Sequence, residues 1–196
     1  MADVPAVVLL VESAYRGDSG RLGWTTEADL LDGRRTDEEA VGSVIDSPNS
    51  RLLVVDAPEG SRASGPLLGC CRVDRHAGLA HFGMFAVAPL EQGSGLGSAL
   101  LAEAERIGRD EWRLDAMELE CLAPRSELLA FYERRGYVAT GERRPFPYDD
   151  PRFGIPRQDG LEFLVLTKDL RPGRPGGTTY PSSVPTTDTK ETISPG

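Results

Sequence analysis

The stretch HFGMFAVAPLEQGSGLGSALLAEAERIGRD, His81 to Asp110, decides how this chain is read. Its first part is an apolar run that ends at Val87, and Pro89, with no N–H to give a ladder, stops further pairing. Its last part sets Leu96, Leu100, Leu101, Ala104 and Ile107 at helical spacing. Between them stands Gln92-Gly93-Ser94-Gly95-Leu96-Gly97-Ser98. The first N–H groups of a helix lack intrahelical partners and carry partial positive charge, so a phosphate binds there readily. Glycines let a bulky anion reach the backbone without interference from Cβ, at a cost in conformational entropy. Three glycines within five residues at a helix start therefore predict a strand, a turn and a helix that hold a pyrophosphate. An ordinary glycine-rich connection is the plain alternative, and one glycine would serve it.

Two nucleotide motifs do not fit. A Walker loop needs Lys-Ser/Thr after its last glycine, and here Gly97 is followed by Ser98-Ala99. A dinucleotide fingerprint needs GxGxxG near the start of a βαβ unit. Here the spacing is GxGxG and other elements precede it.

Working outward, Asp3 and Pro5 predict the start of a helix with Val7, Leu10, Val11 and Ala14 on one face. Gly17 to Thr26 reads as turns around Trp24. Thr36 with Glu39 predicts a capping box for a second helix carrying Ala40, Val41, Val44 and Ile45. The period then changes to strands at 51–57, 67–75 and 79–88. After the helix at 96–110, a strand is expected at 116–122 and a helix at 127–135 closed by Gly136. Closing strands at 137–141 and 161–167 flank a proline-rich loop. The fold class is α/β, a mixed and mostly antiparallel sheet with helices on both faces. Residues 1–169 form one domain. Residues 170–196, rich in Pro, Gly, Ser and Thr, read as a disordered tail.

The net charge is −9. The tail holds three cations and two anions, so residues 1–169 carry −10. That excludes a general nucleic-acid binder, which needs a basic face. Cys70, Cys71 and Cys121 make neither a disulfide framework nor a CxxC metal site, and a reduced cytoplasmic setting fits them. The run Ala6–Val11 is too short to span a membrane.

The segment VAPLEQGSGLGSALL resembles the cofactor motif of the GNAT N-acetyltransferase superfamily, Gln/Arg-x-x-Gly-x-Gly/Ala, on Gln92, Gly95 and Gly97. The later LAFYERRGY resembles that superfamily's second motif, with Tyr132 four residues before Gly136. The two stand in the family's order and at its usual separation, and the resemblance covers residues 3–169. Two features depart from the pattern. The chain starts at the first helix, without the usual edge strand, and Arg125 stands where many members carry an asparagine near the coenzyme.

The resemblance implies direct attack of a primary amine, on a small molecule or a peptide, on the thioester of acetyl-coenzyme A. The pantetheine would pair with Phe85, Ala86 and Val87, with the Val87 N–H as donor to the developing oxyanion. The turn from Gln92 to Ser98 would hold the pyrophosphate. Glu120 falls where several relatives carry a catalytic carboxylate, and partial burial would raise its proton affinity. A solvated strand face is the alternative for Glu120. Tyr132 would protonate the leaving thiolate, with core packing as its alternative. His76 and His81 read as surface residues. Trp24, Tyr148, Asp149, Asp150 and Phe153 lie in loops expected to border the acceptor site. An uncovered sheet edge would suit a homodimer. Two other functions compete: a coenzyme A-binding module without turnover, and a dinucleotide-dependent oxidoreductase.

Overall fold

Alternation with a period of two gives the central sheet two apolar faces, and α-helices among the described residues cover both. The computed structural model describes residues 3–16, 27–59, 61 and 65–172. In chain order these form α1 (Val4–Tyr15), β1 (Leu31–Asp32), α2 (Glu38–Asp46), β2 (Ser50–Asp56), β3 (Leu67–His76) and β4 (Leu79–Val87). Then come α3 (Leu96–Arg106), β5 (Ala116–Leu122), α4 (Ser126–Glu133), β6 (Val138–Pro145), β7 (Ile155–Pro156) and β8 (Glu162–Asp169). Six strands make one sheet in the order β2-β3-β4-β5-β8-β6, and β1 pairs with β7 separately. Only β4 and β5 run parallel in that sheet. A parallel pair needs a crossover, which α3 supplies.

One face is covered by α1 and α2, whose Val7, Leu10, Val11, Ala14 and Val41 pack on Leu67, Cys70, Ala86 and Ala88. The other is covered by α3 and α4, whose Leu100, Leu101, Ala104, Leu128 and Phe131 pack on Cys71, Phe82, Phe85, Met117 and Leu119. Adjacent strand residues point to opposite faces, so Cys70 and Cys71 sit in different cores, both free and buried.

The expected boundaries shift in several places. Asp3 makes no side-chain cap. The cap of α2 is Asp37, whose carboxylate accepts from the Ala40 N–H at 2.8 Å, so the signal of Thr36 moves by one residue. Ala40 and Ile45 face outward and only Val41 and Val44 of that stripe are buried. The α-helical part of α3 ends at Arg106 and a π-turn carries it to Glu111. β6 runs on to Pro145, past the expected end at Gly141. Leu170 is buried and its N–H reaches the Asp115 carbonyl at 2.8 Å, so the packed region passes residue 169. The turns expected around Trp24, and the tail beyond residue 172, lie outside the described residues.

The feature that positions the site is a bulge. Cys70 pairs with Ala86 and Arg72 with Gly83, so Met84 and Phe85 together face Cys71. Met84 takes φ +45° there. The extra residue changes the phase of the strand. Phe82 and Phe85 are three apart and yet share the core on the α3 face. Pairing of β4 with β5 stops at Phe82 and Leu119. Beyond that rung the two strands part.

Candidate active site

The hydrogen bonds around Val87 show which backbone groups face the opening. In an antiparallel pair, residues alternate between bonded and non-bonded positions. The Ala88 N–H donates to the Leu68 carbonyl at 2.8 Å. Two residues earlier, Ala86 therefore turns its N–H and C=O to Cys70 on β3. Phe85 and Val87 turn theirs toward the gap beside β5. The side chains agree: the Tyr15 hydroxyl donates to the Phe85 carbonyl, and Gln92 Nε2 donates to the Val87 carbonyl at 3.2 Å. Of the three residues expected to pair with pantetheine, Phe85 and Val87 offer N–H groups to the gap. Ala86 does not, because β3 uses its backbone.

Val87 leads directly into the glycine turn, where the glycines do different work. Gly93 and Gly95 take φ +89° and +92°, a region that Cβ disfavours, and no atom lies within 4 Å of where their Cβ would be. They open the approach to the helix start. Gly97 is required by packing, since a Cβ there would meet Phe85 Cζ at 2.9 Å. The Ser94 hydroxyl donates to the Glu91 carbonyl at 2.7 Å, and the Ser98 and Ala99 N–H groups turn back to the Gly95 carbonyl at 3.0 and 3.1 Å. Arg135 of the turn after α4 stacks 3.5 Å above the Phe131 ring and donates to the Ser98 hydroxyl. It adds a cation beside the N-terminus of α3. Sequence reading missed Arg135, although it lies within the quoted FYERRGY.

Tyr132 and its neighbour Phe131 are both buried. The Tyr132 ring lies 6.4 Å from that of Phe85 and 6.3 Å from that of Phe82, at the parting of the strands. Burial, with Tyr15 and Cys121 adding to it and Arg125 opposing, pushes its hydroxyl well above the ordinary phenol range. It stays protonated at neutral pH.

Behind Tyr15 lies a buried charge cluster absent from the sequence reading. Glu27 is 2.8 Å from Arg125, 2.9 Å from Arg16 and 3.6 Å from Arg35. Arg35 and Arg125 also stand 5.2 and 5.3 Å from the centre of the Tyr15 ring. Burial pushes the Glu27 carboxyl up, but Arg125, Arg35 and Arg16 outweigh it and hold it below the usual carboxylate range. The departure at Arg125 is thus a structural tie between the approach to α4 and the end of α1.

On the α1–α2 face, over the parting strands, is a cavity of about 920 Å³. Its floor includes Arg72, His81, Glu118, Glu120 and Phe163, and its walls include Arg35, Asp37, Arg152 and Phe153. Glu118 and Glu120 share this face, as alternation requires, while Met117, Leu119 and Cys121 are buried opposite. The partial burial expected of Glu120 is found at Glu118 instead. The Glu118 side chain is 13% exposed and that of Glu120 is 40% exposed. Arg144 of β6 pairs with both, lying 3.2 Å from Glu118. His81, expected at the surface, lines the cavity. Of the loop residues, Phe153 lines it. Tyr148 is 42% exposed, and its hydroxyl accepts from the Leu161 N–H at 2.7 Å. Asp150 pairs with Arg152, and Trp24 is outside the described residues.

A bulged strand that parts from its neighbour, a glycine-opened helix start at its end and a polar cavity across it define the class of site. Comparison with protein families gives the class a name: residues 21–137 match the acetyltransferase (GNAT) family, and the chain belongs to it. It is an N-acetyltransferase with acetyl-coenzyme A as co-substrate. No curated protein matches the sequence. Among solved structures, a GNAT-family protein from Desulfovibrio desulfuricans superposes with a TM-score of 0.60 at 21% identity, over 87% of this chain and 94% of that one. The ribosomal-protein-S18-alanine N-acetyltransferase of Escherichia coli gives 0.56 at 18% identity, over 87% and 89%. A nourseothricin acetyltransferase gives 0.53 at 24% identity, over 63% and 67%. These likenesses carry the fold. Among the described residues no helix is long and apolar enough to cross a membrane, and no group of side chains could hold a metal.

Proposed function

We propose that acetyl-coenzyme A lies along β4 with its pyrophosphate on the turn Gln92–Ser98 and its thioester at the parting of β4 and β5, where a primary amine from the cavity attacks it. The meeting of turn and gap at Val87, fixed by the bond from Gln92, is the observation that carries this reading. N–H groups at the start of α3 and the Arg135 guanidinium neutralise the phosphates. The pantetheine adds to the open edge of β4 through Phe85 and Val87, as an extended peptide adds to a sheet. The Val87 N–H donates to the carbonyl oxygen as charge develops on it. Tyr132, held protonated by burial, gives its proton to the departing sulfur. Glu120 faces the cavity with Glu118, and together they attract the ammonium form of the acceptor.

The acceptor is a small-molecule or peptide amine. Arginines and carboxylates both line the cavity, so an acceptor with polar groups besides its amine fits better than a simple polycation. The chain works in a reducing cytoplasm, consistent with three free thiols. β2 leaves one sheet edge open, which a second copy would cover. A coenzyme A-binding module without turnover predicts Glu120 and Tyr132 buried away from the cleft; Glu120 lines the cavity, while Tyr132 packs in the core with Phe82 and Phe85.

The test is thiol release from acetyl-coenzyme A across an amine panel, including spermidine, an alanine-ended peptide and a streptothricin. Release with at least one amine is expected. Binding of coenzyme A with no release from any amine would favour the non-catalytic module. Thermal stabilisation by NAD alone would overturn the cofactor assignment.

A further inference from the structure

The carboxylates facing the cavity do not complete the proton chemistry. An amine is protonated in neutral water and must lose a proton before its lone pair can attack. Glu118 and Glu120 are both turned toward Arg144, which bridges them. A third proton acceptor lies beside them on the sheet, while Asp37 and Glu39 line the wall. His81 stands directly across from Glu118 in the β4–β5 register, one rung before the strands part. Its Nδ1 is 3.7 Å from Glu118 Oε1, just beyond hydrogen-bond length, and its side chain is 28% exposed. Its Nε2 is buried and has no hydrogen-bond partner among the described residues. Nδ1 is therefore the nitrogen through which a proton can come and go.

We infer that His81 and Glu118 form a catalytic dyad in which His81 Nδ1 takes the proton of the incoming ammonium and Glu118 balances the imidazolium charge. The inference rests on the acetyl-transfer reading above. The imidazolium then stands 3.7 Å from the Glu118 carboxylate, whose negative charge offsets its own. The freed nitrogen pair forms the C–N bond to the acetyl carbon. When the tetrahedral adduct collapses, the C–S pair goes to sulfur, which takes the Tyr132 proton. The second nitrogen proton restores the phenol, and His81 releases its proton to solvent through the cavity. Other charged groups surround the dyad. Asp74 of β3 pairs with His81 in register and is held by Arg72 at 2.7 Å. The His76 ring is 5.9 Å away. Arg144 approaches from β6, while Arg35, Asp37 and Arg152 look in from the cavity walls.

The experiment takes the amine that the wild-type chain acetylates fastest in the panel and measures kcat/KM against pH for wild type, His81→Gln and Glu118→Gln. His81→Gln should lose about 10²–10⁴-fold near pH 7, the usual reach of a general base. Its acid limb should move up to the pKa of the amine itself, and above that pH its rate should approach wild type. Glu118→Gln should fall by less, and the double variant should be no worse than His81→Gln, since the two act as one unit. Stabilisation by acetyl-coenzyme A should persist in every variant. Wild-type rate and profile in His81→Gln would overturn the dyad and leave acetyl transfer standing. So would a parallel loss at all pH values, which marks a positioning effect. If His81→Gln does not fold, an unchanged profile in Glu118→Gln would overturn the dyad from its other partner. If no amine reacts with the wild-type chain, the dyad falls together with acetyl transfer.

Discussion

Replacing Arg125 with methionine tests what holds α4 and the cleft together. Arg125 and Glu27 side chains are 8% and 6% exposed and lie 2.8 Å apart. Methionine keeps the apolar stem of the side chain and removes the charge. Removing one partner of a buried pair costs about 3–5 kcal/mol, because the other charge stays buried without it. Glu27 keeps Arg16 at 2.9 Å and Arg35 at 3.6 Å, so the cost should fall near about 3 kcal/mol. For a domain of this size each kcal/mol moves the melting temperature by about 2–4 °C, which gives a drop of about 6–12 °C. The assay is calorimetric or circular-dichroism melting at pH 7. Glu27→Gln supplies the pH arm. The native Glu27 carboxyl is held below its usual range, so its contribution is present above the unfolded value of about 4.3 and is lost as pH falls through the native value. Between about pH 6 and pH 3 the wild-type chain should therefore lose more stability than Glu27→Gln. An Arg125→Met chain that melts within 2 °C of wild type, or above it, would refute the reasoning and show that the cluster is no better than an apolar filling.

Three further outcomes are expected. Tyr132→Phe keeps the ring packed on Phe85 and removes only the hydroxyl proposed as the acid, so single-turnover acetyl transfer should fall about 10²–10⁴-fold while acetyl-coenzyme A binding is unchanged. Unaltered transfer would assign Tyr132 to packing alone. Gly95→Val forces a β-branched residue into φ +92° at the phosphate approach, so the thermal shift given by coenzyme A, about 2.7 kcal/mol at a hundredfold excess over Kd, should disappear. A full shift in that variant would move the phosphate site elsewhere. Arg135→Met should weaken coenzyme A binding by about ten- to a hundredfold, since a hydrogen bond to a charged group contributes about 1.5–3 kcal/mol. Calorimetric titration checks this, and an equal Kd would place Arg135 outside the phosphate site.

The strand, turn and helix around Gly95 were legible because their chemistry is local. Proline stops a strand, glycine opens a turn, and a helix start presents its own N–H groups wherever it is placed. The limits of β5 and the opposite facing of Cys70 and Cys71 follow in the same way from a period of two. Residues joined across long sequence gaps were not legible. Glu27 and Arg125 meet only because α1 and the approach to α4 converge on the sheet. His81 is a strand-start histidine with no partner at any sequence spacing, and it gains Glu118 only through the β4–β5 pairing. The bulge at Met84 has no glycine in the bulged position to announce it, so the inward turn of both Phe82 and Phe85 could not be foreseen. The same backbone geometry decided which of these residues β3 occupies: Ala86 pairs with Cys70, leaving Phe85 and Val87 for the proposed pantetheine contacts. Sequence by itself determined that the chain has a glycine turn opening a helix and the elements of a mixed sheet, because those depend on neighbours in the chain. Tertiary structure alone decided where the strands part and which charges face the gap, because strand register and burial are set by distant segments competing for the same surface.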